Sequence, residues 1–423
     1  MKPKENGSIH KGFIRTSGLF ILLNFFSSLF ELLFNGVVAR LPDGDYGVYG
    51  RLFGLYFIIS VPFLSIQLLV SKEVSSYLAT NARGRAATFV KKSLLYVTVT
   101  GGSLALLGII FSRFIAGFLN IESTTPVILL MLIFICYTPF PVFVGIVQGS
   151  KKFYTAGLIA IFWGFFRLFN GSIAFWSFGG QLNGILVGVT LAVILTVLFA
   201  WTRARSIFKT AGEKLTDGEF RRAFSLVIPM AFTLFAVTVL RSIDLVLAGR
   251  FFSPAEVDAY ACASTVGKAF FMLTTIVMVM FPHVSEQRSL KRNPFIYIIK
   301  SLAVTVGLTL GGIIISIISP GFIMRIITVG ETIPGAEPLI QIIGIVILCV
   351  SIIFIIAHYL LAQHKAGFIP VLVAGMILQV VLISLFHSTP LTMLWAVCGA
   401  NAITMILMVI VLVVDQRQYS KEG

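Results

Sequence analysis

Six ionisable side chains lie inside stretches of the 423-residue chain that are otherwise apolar: Arg51, Arg167, Arg241, Lys268, Glu31 and Asp244. Guanidinium groups pair with phosphate in two-point geometry, and an ammonium adds a compact point charge, so the four cations suit a phosphate or pyrophosphate ligand. The two carboxylates could set the charge balance of a cavity or carry a coupling ion, H+ or Na+. A charge facing lipid at mid-membrane costs at least ~2.5–3.5 kcal/mol, so six unpaired charges would cost roughly 15–20 kcal/mol, more than a typical folding stability. They must therefore face a bundle interior or a wet cavity. The structural alternative pairs Glu31 with Arg51 and Asp244 with Arg241, yet four cations against two anions cannot all be neutralised this way. Asn24, Asn35, Asn170 and Trp163 are further candidates, for sugar hydroxyls or for stacking on a sugar or on the guanidinium one turn away.

The elements that must position these groups are spanning helices. With 57% apolar and aromatic residues, 12% charged residues and a mean hydropathy of +0.98, the chain has too little polar character to cover a water-exposed body. Twelve apolar windows are long enough to span: 14–39, 47–70, 93–117, 126–147, 156–177, 184–202, 223–248, 257–282, 296–318, 337–360, 367–387 and 391–414. The first reads as a retained span, since its run is longer than a signal-peptide core. At about 1.5 Å per residue, Glu31 and Arg241 lie roughly 12–14 Å below the outer ends of their spans and Arg167 about 15 Å. Lys268 lies near mid-span, and Arg51 is shallower.

Of 32 Lys and Arg residues, 24 fall in the tails and even-numbered connections, against four (Arg40, Arg113, Arg250, Arg325) in the odd ones. The positive-inside rule then makes both termini cytoplasmic in a multi-pass protein of the cell membrane. The net charge of +15 is thereby a topology signal and not a nucleic-acid footprint. Trp176 and Trp201 fall at interfacial depth. Gly180, Gly184 and Gly188, and Gly307 and Gly311, suit close helix contact. Pro139, Pro141 and Pro229 suit bends. Cys136, Cys262, Cys349 and Cys398 sit in apolar runs without a CxxC and read as free thiols.

The chain carries an internal repeat. Ala39-Arg40-Leu41-Pro42-Asp43-Gly44-Asp45-Tyr46-Gly47-Val48-Tyr49 aligns with Gly249-Arg250-Phe251-Phe252-Ser253-Pro254-Ala255-Glu256-Val257-Asp258-Ala259-Tyr260, and Gln148-Gly149-Ser150-Lys151-Lys152-Phe153 with Gln363-His364-Lys365-Ala366-Gly367-Phe368. Both matches sit at an offset of about 210–215 residues, which places Glu31 and Arg241 at equivalent positions. The expected organisation is all-α: a six-helix bundle over 1–205, a cytoplasmic linker over 206–222 and a second bundle over 223–423, related by a pseudo-two-fold axis along the membrane normal.

The Leu-Pro-x-x-x-Tyr-Gly-x-Tyr turn, the Gln-Gly-x-x-basic-Phe exit of span four, and Gly330-Glu331 followed by Gly335-Ala336 resemble the oligosaccharide-flippase (polysaccharide transporter) branch of the MOP exporter superfamily. That resemblance implies export of a polyprenyl (pyro)phosphate-linked oligosaccharide by alternating access, with no cofactor beyond a coupling ion. Its implied context is cell-surface polysaccharide biosynthesis, as a monomer, with polymerase and glycosyltransferase partners. Twelve spans are two short of the lipid II flippase branch. A cation-coupled multidrug exporter of the same superfamily is the alternative, although such a cavity should be lined by acids. No enzymatic cluster is visible: the histidines are scattered, and Asp43-Gly44-Asp45 sits in a tight turn with no catalytic domain around it.

Overall fold

The computed structural model describes residues 23, 26–216, 218–225, 228–272, 274, 280, 284, 295–363 and 365–422. Among these the chain is helical throughout and has no strand. The helices are α1 (Phe26–Val38), α2 (Asp45–Ala79), α3 (Arg83–Ile110), α4 (Ser112–Phe118), α5 (Thr125–Tyr137), α6 (Phe140–Gly149), α7 (Phe153–Ser177) and α8 (Leu182–Ala204). A 3-10 turn at Ile207–Lys209 follows, then α9 (Glu219–Ser225), α10 (Ile228–Phe251), α11 (Pro254–Phe271), α12 (Phe295–Ile318), α13 (Pro320–Ile327), α14 (Glu337–Ala362), α15 (Ile369–Leu385) and α16 (Pro390–Glu422). The described part of each of the twelve apolar windows falls on this series; residues 14–22 of the first and most of 273–282 of the eighth lie outside the described residues. Among the described residues nine helical segments, one of them α5 and α6 taken together, are long and apolar enough to cross a membrane, and α1 and α15 are shorter apolar helices. α11 carries Glu256, Asp258 and Lys268 within 18 residues, more charge than an ordinary span.

The chain packs as two units. Unit 1 comprises residues 1–41 and 62–228, and unit 2 comprises Pro42–Val61 and residues 229–423. The sequence suggests a first bundle over 1–205 and a linker over 206–222; in the structure the division falls near residue 228, and about the first half of α2, residues 45–61, belongs with the second unit. That handover falls at Pro62, which lies inside α2 and has no N–H to offer the Ile58 carbonyl. Thr138 and Pro139 likewise separate α5 from α6 within one apolar span.

In unit 1, α7 presents glycines at heptad spacing to α1. A Cβ at Gly164 would lie 2.8 Å from the Ser27 carbonyl oxygen, and one at Gly171 2.4 Å from the Phe34 ring. The Ser27 hydroxyl donates to the Ala160 carbonyl at 2.7 Å, fixing the register. Gly184 and Gly188 make the expected close approach of α8 to α7, against the carbonyls of Ala174 and Asn170. Gly180 instead turns the chain at φ +77°, and Gly307 and Gly311 face open space, so neither serves as the helix contact that their spacing suggests.

Unit 2 is organised around α14, packed by α11, α12, α13 and α16. Its core holds Tyr359, Phe368, Ile353 and Ile356 with Leu240 of α10, all buried. Ser253 and Glu256 form a capping box at the start of α11, with Pro254 in the first turn. The first turn of α2 is capped from outside its own helix: Asp258 of α11 accepts the Gly44 and Gly47 amides at 2.6 and 2.5 Å.

Candidate substrate and coupling site

The charged residues that the sequence singles out have different surroundings in the two units. In unit 1, the glycine face of α7 lets α1 come close enough for Glu31 to meet Arg167, with Oε2 2.5 Å from Nη1. The guanidinium is buried between two rings, 4.7 Å from the Phe34 centroid and 5.8 Å from that of Trp163. Glu31 thus pairs with Arg167 and not with Arg51. Trp163 stacks on this guanidinium, as the spacing of four suggests. Asn170 donates to the Phe166 carbonyl of its own helix at 2.9 Å, Asn35 stands half-buried one turn beyond Glu31, and Asn24 lies outside the described residues.

In unit 2, Arg51 is 3% exposed and lies flat on the backbone of α10: a Cβ at Gly249 would fall 1.8 Å from its Nη1. Its Nε faces the Gly47 carbonyl at 3.3 Å. The same peptide neighbourhood donates to Asp258, so Arg51 and Asp258 frame the junction of α2, α10 and α11 from either side. Asp244 is buried and accepts the Tyr260 hydroxyl on Oδ2 at 2.8 Å; its Oδ1 has no hydrogen-bond partner. It does not pair with Arg241, although the two share a face of α10. The Lys268 ammonium sits 5.7 Å from the Phe57 ring centroid and within Coulombic range of Asp244.

Arg241 is the exception. Its guanidinium stacks on Phe271 at 4.6 Å, its Nε is buried without a hydrogen-bond partner, and among the described residues no carboxylate reaches it. A half-buried guanidinium with only an aromatic face for company keeps several donors available to an anion.

Three features here are not among the residues that the sequence singles out. Asp258 and Tyr260, inside a span window, are as buried as the residues that were singled out. Gly47, Gly50 and Gly54 form a smooth stripe on α2, with Gly44 in the turn just before it at φ +89°: a Cβ on Gly44, Gly47, Gly50 and Gly54 would come within 2.7–3.1 Å of Pro254, Val257, Ala261 and Val246, respectively. The signal was present, since glycines spaced by three and four residues within an apolar helix mark close backbone approach.

No family model and no curated protein matches the chain. Solved structures do. One, described as the inward-facing conformation of a multidrug resistance MATE family transporter of the MOP superfamily, superposes with a TM-score of 0.69 at 12% identity, covering 95% of this chain and 98% of that one. The lipid II flippase MurJ in an inward closed conformation gives 0.65 at 15% identity, over 93% of this chain and 87% of that one. A MOP superfamily transporter from Pyrococcus furiosus, described as having a binding pocket of reverse polarity, gives 0.64 at 12%, with 96% of each covered. With its apolar helices, the chain is a multi-pass membrane protein. Its fold is the MATE-like transporter fold, which the flippase shares.

Proposed function

We propose that this protein moves an amphipath with an anionic headgroup across the cytoplasmic membrane by alternating access, its cargo being a polyprenyl phosphate- or pyrophosphate-linked oligosaccharide for cell-surface polysaccharide. The observation that carries this reading is Arg241: a guanidinium stacked on Phe271, with buried Nε unbonded and no acidic partner among the described residues. A phosphate would supply the missing counter-charge, with Lys268 one helix away as second cation and Arg51 and Arg167 shaping the field. Asp244, held by Tyr260 through one oxygen only, would carry the coupling proton or sodium ion. Cargo would come from glycosyltransferases and pass to a polymerase, with the transporter acting as a monomer.

The test is transport of lipid-linked oligosaccharide in proteoliposomes. Arg241→Ala and Lys268→Ala should each lose activity while remaining monodisperse, and normal transport by both would overturn the assignment. A second reading, cation-coupled export of amphipathic drugs, is favoured by the open Oδ1 of Asp244, which could receive a cation directly. Dye export that survives Arg241→Ala and fails in Asp244→Asn would decide for it.

A further inference from the structure

We infer that unit 1 carries a binding site for the headgroup of an anionic phospholipid, distinct from the intramembrane charges and independent of the transport reading. A pocket of about 480 Å³ opens where α8 ends and α7 begins. Four cations line it: Lys152 just before α7, Arg203 at the end of α8, Arg205 just beyond it, and Lys209 in the 3-10 turn. Thr155, Thr202 and Ser206 add hydroxyls, and no carboxylate contributes to the wall. None of the four cations forms an ion pair among the described residues.

Four like charges around one cavity raise its positive potential and make it a favourable place for an anion. A helix C-terminus favours nearby cations, which accounts in part for Arg203 and Arg205. It does not account for Lys152, which stands at the start of α7, where the helix dipole repels a cation and attracts an anion. Arg203 is held over the Phe199 ring at 4.9 Å, which orders its guanidinium before any ligand arrives.

The surroundings select a lipid over a free anion. Leu191, Ile194 and Leu198 form an exposed stripe along α8, and the same face continues through Trp201 and Thr202 to Arg205. Acyl chains lying on that stripe would bring their headgroup to the pocket mouth. Trp201 and Tyr154, both exposed, flank the site at the depth that amphipathic rings take at a membrane surface. By charge distribution this is the cytoplasmic side, where basic pockets between helices hold anionic headgroups.

The experiment is native mass spectrometry of the detergent-solubilised full chain titrated with phosphatidylglycerol, phosphatidylcholine or inorganic phosphate. Phosphatidylglycerol should remain bound in preference to phosphatidylcholine. Arg205→Gln with Lys209→Gln should weaken it roughly 25-fold, at ~5-fold per charge, and Lys152→Gln about 5-fold. Lys91→Gln with Lys92→Gln, a cationic pair elsewhere on the same side, should leave it unchanged. Equal loss in both pairs, no loss in the pocket variants, or displacement by millimolar inorganic phosphate would overturn the lipid assignment. All these side chains are exposed, so a change in melting temperature would not explain the result.

Discussion

Arg167 in unit 1 and Arg241 in unit 2 are the same residue type at similar expected depths in their spans, yet their surroundings differ. Arg167 has a carboxylate at 2.5 Å and rings on either side. Arg241 has the one ring and an unbonded buried nitrogen. The cost of placing a guanidinium among apolar helices is met internally in one unit and left open in the other. A cation whose charge is already answered serves the fold. One whose charge is not answered carries a cost that the anion proposed above would offset.

The sharpest way to break this contrast is to remove Arg241. If it receives an anion, Arg241→Ala should lower transport by ~30- to 100-fold, the equivalent of about 2–3 kcal/mol for charge-assisted hydrogen bonds lost to substrate, and Arg241→Lys should recover part of it. Stability should move the other way. Arg241→Leu removes an uncompensated, half-buried charge and should hold or raise the melting temperature. A variant that loses both transport and stability would show that Arg241 is structural after all.

The converse variant is Arg167→Leu. Breaking a buried pair costs about 3–5 kcal/mol, but the Glu31 side chain is 31% exposed and partly screened, so about 2–3 kcal/mol is expected. Glu31→Leu in the same chain should restore most of that loss. A thermal double-mutant cycle checks the coupling, and additive losses would dissolve the pair.

How much of this was legible in the sequence depends on which physical signal each feature leaves. Helix positions follow from apolar length, so the described part of each window coincides with a helix. Arg241 and Asp244 stood out because charge in an apolar run is rare. Pairing was less accessible: the sequence reading matches Glu31 to Arg51, whereas Gly164 and Gly171 bring α1 onto α7 and so give Glu31 to Arg167. The handover of α2 between units was hidden because Pro62 interrupts no hydrophobic run. Asp258 was overlooked because its role is local. It satisfies amides at the start of a helix about 210 residues away, and no spacing rule connects them.

Arg51 tests the ground between the two extremes, buried like Arg167 but set on backbone. Gly47→Ala would put a Cβ 2.7 Å from Val257 and 2.9 Å from the Asp258 carboxylate, pushing that cap off the first turn of α2. An overpacking cost of about 1–2 kcal/mol is expected, seen as a lower melting temperature. Faster hydrogen exchange over residues 44–51 should accompany it, while exchange around Arg167 stays unchanged. Uniform acceleration in both units would mean that the junction is not a local device.

The smallest effect belongs to a charge that is paired but outside the spans. Glu219, at the start of α9, accepts the Tyr77 hydroxyl at 2.6 Å and the Arg85 guanidinium at 2.6–2.7 Å. Those bonds hold its carboxyl at about 2, below an ordinary value of 4.5. Because the folded value is the depressed one, the contribution is complete above about pH 4.5 and fades as the pH falls towards 2. Hydrogen exchange over residues 219–225, corrected for intrinsic rates, should therefore be flat from pH 7 to 5 and lose protection below. Glu219→Gln should show weak protection at every pH. Exposed pairs are screened, so the change should stay confined to α9 and its partners. Unfolding of the whole of unit 1 over the same interval would place the acid-sensitive group elsewhere.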